Sequence, residues 1–420
     1  MNTRYLLSLL LLLFFGRLAF SQSGKFIVTN TSGVSRLEEP VVVSRQALEG
    51  FVSLPGAGKV AVLSVHGKEI PSQLDDLNQD GQWDELAFQI DIELNSTAEV
   101  KIKWVEFADA PKFTKRTQAW FGVEANGDGR FKPVLKELRP DDWTPGKQPA
   151  RYQLEGPVWE NDKVGFRNFF DSRNGIDIFG KTRPNIVLDS VDVFYRHYHK
   201  MCPWGMNLVK IGSSLGAGGF ALIEKGELIQ LQKTESAQYI QVANGPVRSM
   251  FDLIYEGWQV SESARYNVKL RISIWAGKFW YKNEITVSGF IGDKEIAVGI
   301  VNIKNPSQAI YKTNNMAYTS LCTHARQTEN NDLLGMGLLF SSRVFGGYGE
   351  APRGDIWPKT DTVSHTYYAK LKIRSGQAVD YYFFAGWEKT EAKFGNTKYF
   401  TDVVQEEADR REFPLQVGKK

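Results

Sequence analysis

Apolar residues in this chain recur at every second position over short runs, and turn signals cut those runs before a helix could establish itself. Lys269-Leu-Arg-Ile-Ser-Ile-Trp275 and Val100-Lys-Ile-Lys-Trp-Val105 alternate as half-buried strands do. Pro55-Gly56, Asp80-Gly81, Gly127-Asp128-Gly129, Asn174-Gly175 and Gly346-Gly347 mark turns between such runs. Helical periodicity is confined to the neighbourhood of Thr401 to Arg411. The pattern predicts an all-β protein of antiparallel sheets packed as sandwiches. At 420 residues the chain is long for one sandwich. We expect a small N-terminal β-sandwich over 22–107, then a linker or draped loop over 108–150. The latter is rich in Lys, Pro, Gly and Asp without clear periodicity. One large sandwich, carrying the chemistry, is expected over 151–420.

The N-terminus reads as an export signal. Arg4 precedes an apolar stretch from Leu6 to Phe15, and Ala19-Phe20-Ser21 is a small-x-small cleavage site. The stretch is short for a membrane span and no second one follows. A signal peptide over 1–21 and a periplasmic or secreted protein without membrane insertion are therefore expected. Loss of Arg4 and Arg17 would take the formal charge from +3 to +1. Bulk charge of that size gives no argument for nucleic-acid binding. Cys202 and Cys322, the two cysteines, could pair in an oxidising compartment, and their spacing excludes a thiolate zinc motif.

Asp76-x-Asn78-x-Asp80-Gly81-x-x-Asp84 has the oxygen-ligand spacing of a calcium loop. The twelfth position is Ala87 and a strand pattern follows, so it is no EF-hand. Asp76, Asn78, Asp80 and Asp84 would hold a structural calcium or, as the plainer alternative, close a hydrogen-bonded hairpin turn. No other cofactor is expected. The glycine run Gly212 to Gly219 lacks the Lys-Ser/Thr ending of a phosphate loop and reads as a place of close backbone approach.

The densest chemistry lies between Gly156 and Gly219. Tyr195-Arg196-His197-Tyr198-His199 holds two of the five histidines. Read as a strand, it would put Tyr195, His197 and His199 on one face, with Arg196 and Tyr198 on the other. Histidine pairs serve proton transfer or metal binding. Trp159, Glu160, Asp162, Arg167, Asp171 and Lys181 form a mixed aromatic and charged group. It reads either as surface ion pairs or as a sugar site, in which Arg167 would grip a carboxylate. His324 with Arg326, and Trp357, His365 and Tyr367 near Gly346-Gly347-Tyr348-Gly349, are secondary patches.

Trp159-Glu160-Asn161-Asp162, Phe166-Arg167, the segment ending at His199, Gly205-Met206 and Gly212 to Gly219 together resemble the domain of unknown function 4861 family. The resemblance covers most of the chain from Phe26 onward. It implies a galactose-mutarotase-like supersandwich. In that neighbourhood the described activity is an ulvan oligosaccharide dehydratase of marine Bacteroidota. Such an enzyme removes water from a non-reducing terminal uronic acid and leaves a 4,5-unsaturated residue. The family position after Gly-Met is often Asp and is Asn207 here, which puts a carboxylate role there in doubt. On this reading Arg167 or Arg196 would neutralise the substrate carboxylate, and His199 or Tyr198 would take the C5 proton. His197, Tyr195 or Glu160 would protonate the leaving hydroxyl. Trp159, Asp162, Lys181, Trp204, Asn207 and His324 would complete binding of an acidic oligosaccharide. A polysaccharide lyase is one rival. A glycoside hydrolase using Glu160 with Asp171, or a non-catalytic carbohydrate-binding protein, are others. Oligomeric state is not legible.

Overall fold

The computed structural model describes residues 23–124, 126–140, 150–194, 196–305, 308–356 and 362–420. The expected signal peptide, Tyr195 and Trp357 lie outside the described residues.

The architecture is all-β with sandwiched sheets, as the alternation predicts. In the N-terminal sandwich a five-stranded sheet faces the three strands Arg36–Ser44, Glu85–Ile92 and Ser72–Asp75. Its strand Ser96–Glu106 buries Ala98, Val100, Ile102 and Trp104, every second residue, against Phe26 and Phe88. The strand's remaining side chains are partly or fully exposed, which is how one sequence period makes one core face.

The large sandwich sets a nine-stranded sheet against two five-stranded sheets. One five-stranded sheet is ordered Gly205–Asn207, Ile176–Lys181, Val164–Asn168, Val158–Asn161, Thr117–Trp120. The other includes Ala217–Glu224, Asp293–Val301, Thr366–Arg374 and Phe345–Glu350. A single apolar cluster draws on all three sheets, with Phe166 and Ile178 from the first, Leu222 and Ile296 from the second, and Leu253 and Ile272 from the nine-stranded one. Burial on this scale is the main stabilising term.

Several expectations need correction here. The described part of 108–150 is not a plain linker. Thr117–Trp120 joins the first five-stranded sheet, and Lys136–Leu138 adds an edge strand to the nine-stranded one. Strands of four and three residues are too short to show alternation above a Lys- and Pro-rich background. The large unit also yields its last strand: Gln416–Lys419 pairs antiparallel with Ser23–Asn30 in the N-terminal sheet. Cys202 and Cys322 are both free thiols.

The helix is longer than expected, Thr397–Glu412, capped by the Asn396 side chain accepting from the Tyr399 N–H. The Asp76 loop spends its oxygens on its own backbone. Asp76 accepts from Gly81 N–H (2.8 Å), Asn78 from Asp80 N–H (2.9 Å), Asp80 from Gln82 N–H (2.8 Å) and Asp84 from Leu77 N–H (2.7 Å). Among the described residues no group of three or more His, Cys, Asp and Glu converges as a metal site. No helix of the described residues is long and apolar enough to cross a membrane.

Candidate functional site

Strand parity builds the site. Arg167 lies opposite Asp177, and Phe179 opposite Asn207, in the ladder of Val164–Asn168, Ile176–Lys181 and Gly205–Asn207. Phe166, Ile178 and Met206 therefore point into the main core, and Arg167, Asp177, Phe179 and Asn207 point to the other face. Among the described residues no sheet covers that face. A turn-rich segment ending at Trp204 does, through a small second core of Leu154, Val158, Phe179, Leu188, Val191 and Trp204.

Arg167 is 2% exposed and anchors the arrangement. One amino group donates to the Asp177 carboxylate. The other donates to the Leu154 carbonyl (3.1 Å) and the Tyr198 hydroxyl (3.3 Å). The Asn207 amide donates to the same Asp177 oxygen at 2.8 Å, and the Asn207 N–H donates to the Tyr198 carbonyl at 2.8 Å. Phe169 is flanked by two guanidiniums, Arg167 at 4.1 Å and Arg173 at 3.9 Å from its ring centre. Leu154 and Glu155 hold left-handed backbone angles, φ 53° and 57°, and so deliver the Leu154 carbonyl to Arg167. At the next residue, Gly156, any Cβ would collide with the Asn168 carbonyl.

These residues enclose a cavity of about 210 Å³ whose wall also includes His199, Lys210 and Ile211. The Tyr198 and His199 rings lie with centroids 4.6 Å apart. His199 lines the cavity and is solvent-exposed. Partial burial is the largest influence on it and pushes its pKa down. Arg167 and Lys210 push the same way, against Asp177 and Glu329. The shift favours the neutral imidazole, the form able to accept a proton. Burial pushes the Tyr198 hydroxyl up, while the Arg167 cation opposes it. Arg173 bridges Glu155 (3.2 Å) and Asp171, and Lys210 sits 3.5 Å from Glu329 with half its side chain in solvent.

Larger grooves, of about 900 and 500 Å³, run beside the N-terminal sandwich. Their charges close on each other, as in Arg271–Asp252 and Arg248–Glu85, and neither holds a histidine. Volume alone does not locate the chemistry.

Of the residues singled out in the sequence, Arg167, Tyr198 and His199 meet in the cavity, with Asn207 beneath. Others do not. His197 and Arg196 are exposed and do not line it, because this segment is a series of turns and strand alternation does not govern it. Trp159 is a core residue packed on Phe166, Phe251 and Tyr281, closed to any sugar. Glu160 and Lys181 form a buried pair at 2.5 Å. Glu160 also accepts from the N–H groups of Val187 (2.8 Å) and Leu188 (2.6 Å). Asp162 is held by Arg116 (2.7 Å) and the Gly277 N–H (2.7 Å). Trp204 packs near Phe179. His324 lies 2.8 Å from the Phe394 carbonyl and 3.0 Å from the Thr397 hydroxyl, fastening the helix start. The reading missed Glu155, Phe169, Arg173, Asp177 and Lys210. Only Asp177 left a signal, as an acid between the apolar Ile176 and Ile178 at the same parity as Phe179.

Residues 28–417 match the model of the family described as Domain of unknown function (DUF4861). The chain belongs to this family. This DUF4861 protein is 24% identical over 373 residues to Uncharacterized protein P7 of Formosa agariphila, covering 83% of this chain and 81% of that one. Among solved structures it is similar to an alpha-mannosidase from Enterococcus faecalis (10% identity, TM-score 0.44, 95% of this chain and 46% of that one). It is also similar to a putative aldose 1-epimerase from Klebsiella pneumoniae (10% identity, TM-score 0.33, 70% and 95%). The DUF4861 chain thus spans about half the length of the mannosidase chain it matches.

Proposed function

We propose that this DUF4861 protein is an exported carbon–oxygen lyase. It would remove water from the non-reducing terminal uronic acid of ulvan-type oligosaccharides. One observation carries the reading. A neutral imidazole, His199, adjoins a protonated phenol, Tyr198, that a buried guanidinium holds in place, and cationic side chains stand at the same cavity. The cavity, about 210 Å³, is smaller than the roughly 300–1,000 Å³ of sites for drug-sized ligands and suits one sugar ring.

Both amino groups of Arg167 are committed, to Asp177, Leu154 and Tyr198, while its buried Nε has no partner, so it positions Tyr198, and the more exposed Arg173 and Lys210 meet the substrate carboxylate. Those cations offset the charge that builds on the carboxylate as the C5 proton departs. His199 takes that proton, and the C5–H electron pair forms the C4=C5 bond. The C4–O bond breaks, and Tyr198 protonates the departing hydroxyl, which leaves as water. Transfer of the proton from His199 to the Tyr198 phenolate resets the pair. The hydrolase reading loses its expected acids, since Glu160 is closed on Lys181, Asp171 is closed on Arg173, and neither lines the cavity.

The test is incubation with saturated ulvan oligosaccharides, following the ultraviolet absorbance of the conjugated double bond together with mass. Loss of one water at unchanged chain length supports the proposal. Absorbance with chain cleavage would make the protein a polysaccharide lyase, and silence on a broad uronate panel would end the elimination reading.

A further inference from the structure

At one end of the large sandwich two hairpins cross between its sheets, beside cations that the chemistry above does not use. Thr366–Arg374 belongs to the second five-stranded sheet and Ala378–Trp387 to the nine-stranded one, so the turn at residues 375–377 spans the gap between them. Trp280–Ser288 and Asp293–Val301 are divided between the same two sheets. The turns touch: the Gly289 N–H donates to the Ser375 hydroxyl at 3.1 Å, and the Gly376 N–H to the Val287 carbonyl at 2.9 Å. Phe345–Glu350, the outer neighbour of Thr366–Arg374, begins opposite Leu371, so the last residues of the longer strand run on beyond it.

A cavity of about 260 Å³ lies there, of the same order as the one at His199. Its apolar wall includes Val344, Ile373 and Val379. Its rim is polar and open, with Arg343, Lys372, Arg374 and Gln377 all solvent-exposed. Strand parity sets this division, since Leu371 and Ile373 are buried while Lys372 and Arg374 are exposed. Three cations face one carboxylate at the wall, that of Asp293. Arg374 donates to Asp293 at 2.9 Å. Among the described residues no ion pair or side-chain hydrogen bond engages the Arg343 guanidinium or the Lys372 ammonium. Glu295 stands opposite Lys372 in the ladder, yet it forms no ion pair with it and does not line the cavity. A concave surface with this excess of positive charge attracts anions, and both kinds of cation are suited to oxyanions. The apolar wall asks for more than a bare ion, and a pyranose ring offers it a C–H face.

We infer that Arg343, Lys372, Arg374 and Gln377 form a second, non-catalytic site for an anionic sugar. Its sulfate or carboxylate lies between Arg343 and Lys372, and its ring rests on Val344 and Val379. The site stands apart from the elimination proposal, since none of its residues lines the His199 cavity. The probes are glucose 6-sulfate and methyl glucuronide, with methyl glucoside and inorganic sulfate as controls. Each is titrated into the full, isotope-labelled protein, and the amide NMR signals of Gly376 and Gln377 report on this cavity independently of His199. At least one anionic sugar should shift those signals, and the neutral glycoside should not. The two anionic arms show which oxyanion the site takes. Arg343→Ala and Lys372→Ala should each weaken that sugar by about five-fold, the scale of one charge contact at a wet surface. Both positions are exposed, and circular dichroism checks that each variant folds. Molar salt should release the sugar, because these charges are open to screening. His199→Ala should bind it here as the parent does. Unmoved amides with both anionic sugars, or equal affinity in the parent and both alanine variants, overturn the inference. Inorganic sulfate binding as tightly as the sugars overturns it too, since that is an ion site without a place for the ring. Uronate turnover is read separately, so either proposal can fail alone.

Discussion

Replacing His199 with alanine removes the one neutral imidazole of the cavity while leaving its floor of Arg167, Asp177 and Asn207 intact. Turnover of a uronate substrate should fall by about 10²–10⁴-fold, the usual weight of a general base. The pH profile carries a sign that can be checked. His199 is held below its ordinary value, chiefly by burial, so kcat/KM should climb as the base deprotonates below the ordinary histidine range and be level by neutrality. An acidic limb centred above that range would remove His199 from the role. Asp177→Asn tests the floor. It would leave the buried Arg167 without its counter-charge and should cost about 3–5 kcal/mol in urea unfolding. The sequence displayed proton chemistry at Tyr198 and His199 because few residue types do it. It also displayed Trp159, Glu160 and Lys181, yet these are structural. Val158–Asn161 is buried along its whole length, so its polar and aromatic residues meet partners inside the protein, where residue type alone gives no hint of direction.

Besides its apolar contacts, the turn-rich segment over the site is fastened to the sheet by Glu160, whose carboxylate accepts from Val187 and Leu188 N–H while paired with Lys181. Glu160→Ala would strand the Lys181 charge and free both amides. We expect a loss of about 3–5 kcal/mol together with faster amide exchange at Val187 and Leu188, measured by hydrogen–deuterium exchange. A stability loss with exchange unchanged there would dissociate the anchor from the segment. By contrast, the Asp76 loop already satisfies its oxygens through backbone amides, so a calcium chelator should leave the melting temperature unmoved. Long alternating strands such as Arg265–Trp275 were legible because their period is repeated many times. Turns around Tyr198 were not, since five residues can be read as a strand as easily as a bend.

At the scale of the molecule, the two sandwiches share more than a covalent link. Arg36 reaches the Phe413 carbonyl just beyond the helix. Lys278 and Arg410 both approach Glu39, while Arg411 closes on Glu407 against the rings of Trp280 and Tyr382. Leu415 and Val417 pack on the N-terminal core and Gln416–Lys419 pairs with its sheet, so deleting residues 414–420 should lower the unfolding midpoint of the whole chain. A variant that melted like the parent would show the last strand to be dispensable.

The pairing of Gln416–Lys419 with Ser23–Asn30 has a temporal side as well. The first sheet to be synthesised is finished late, because its edge partner is made only after the whole large sandwich. Until that strand docks, the N-terminal sandwich carries an unpaired strand flank, the feature that invites pairing with other chains. Folding intermediates of this protein would therefore need shielding at that one flank until Gln416–Lys419 has docked.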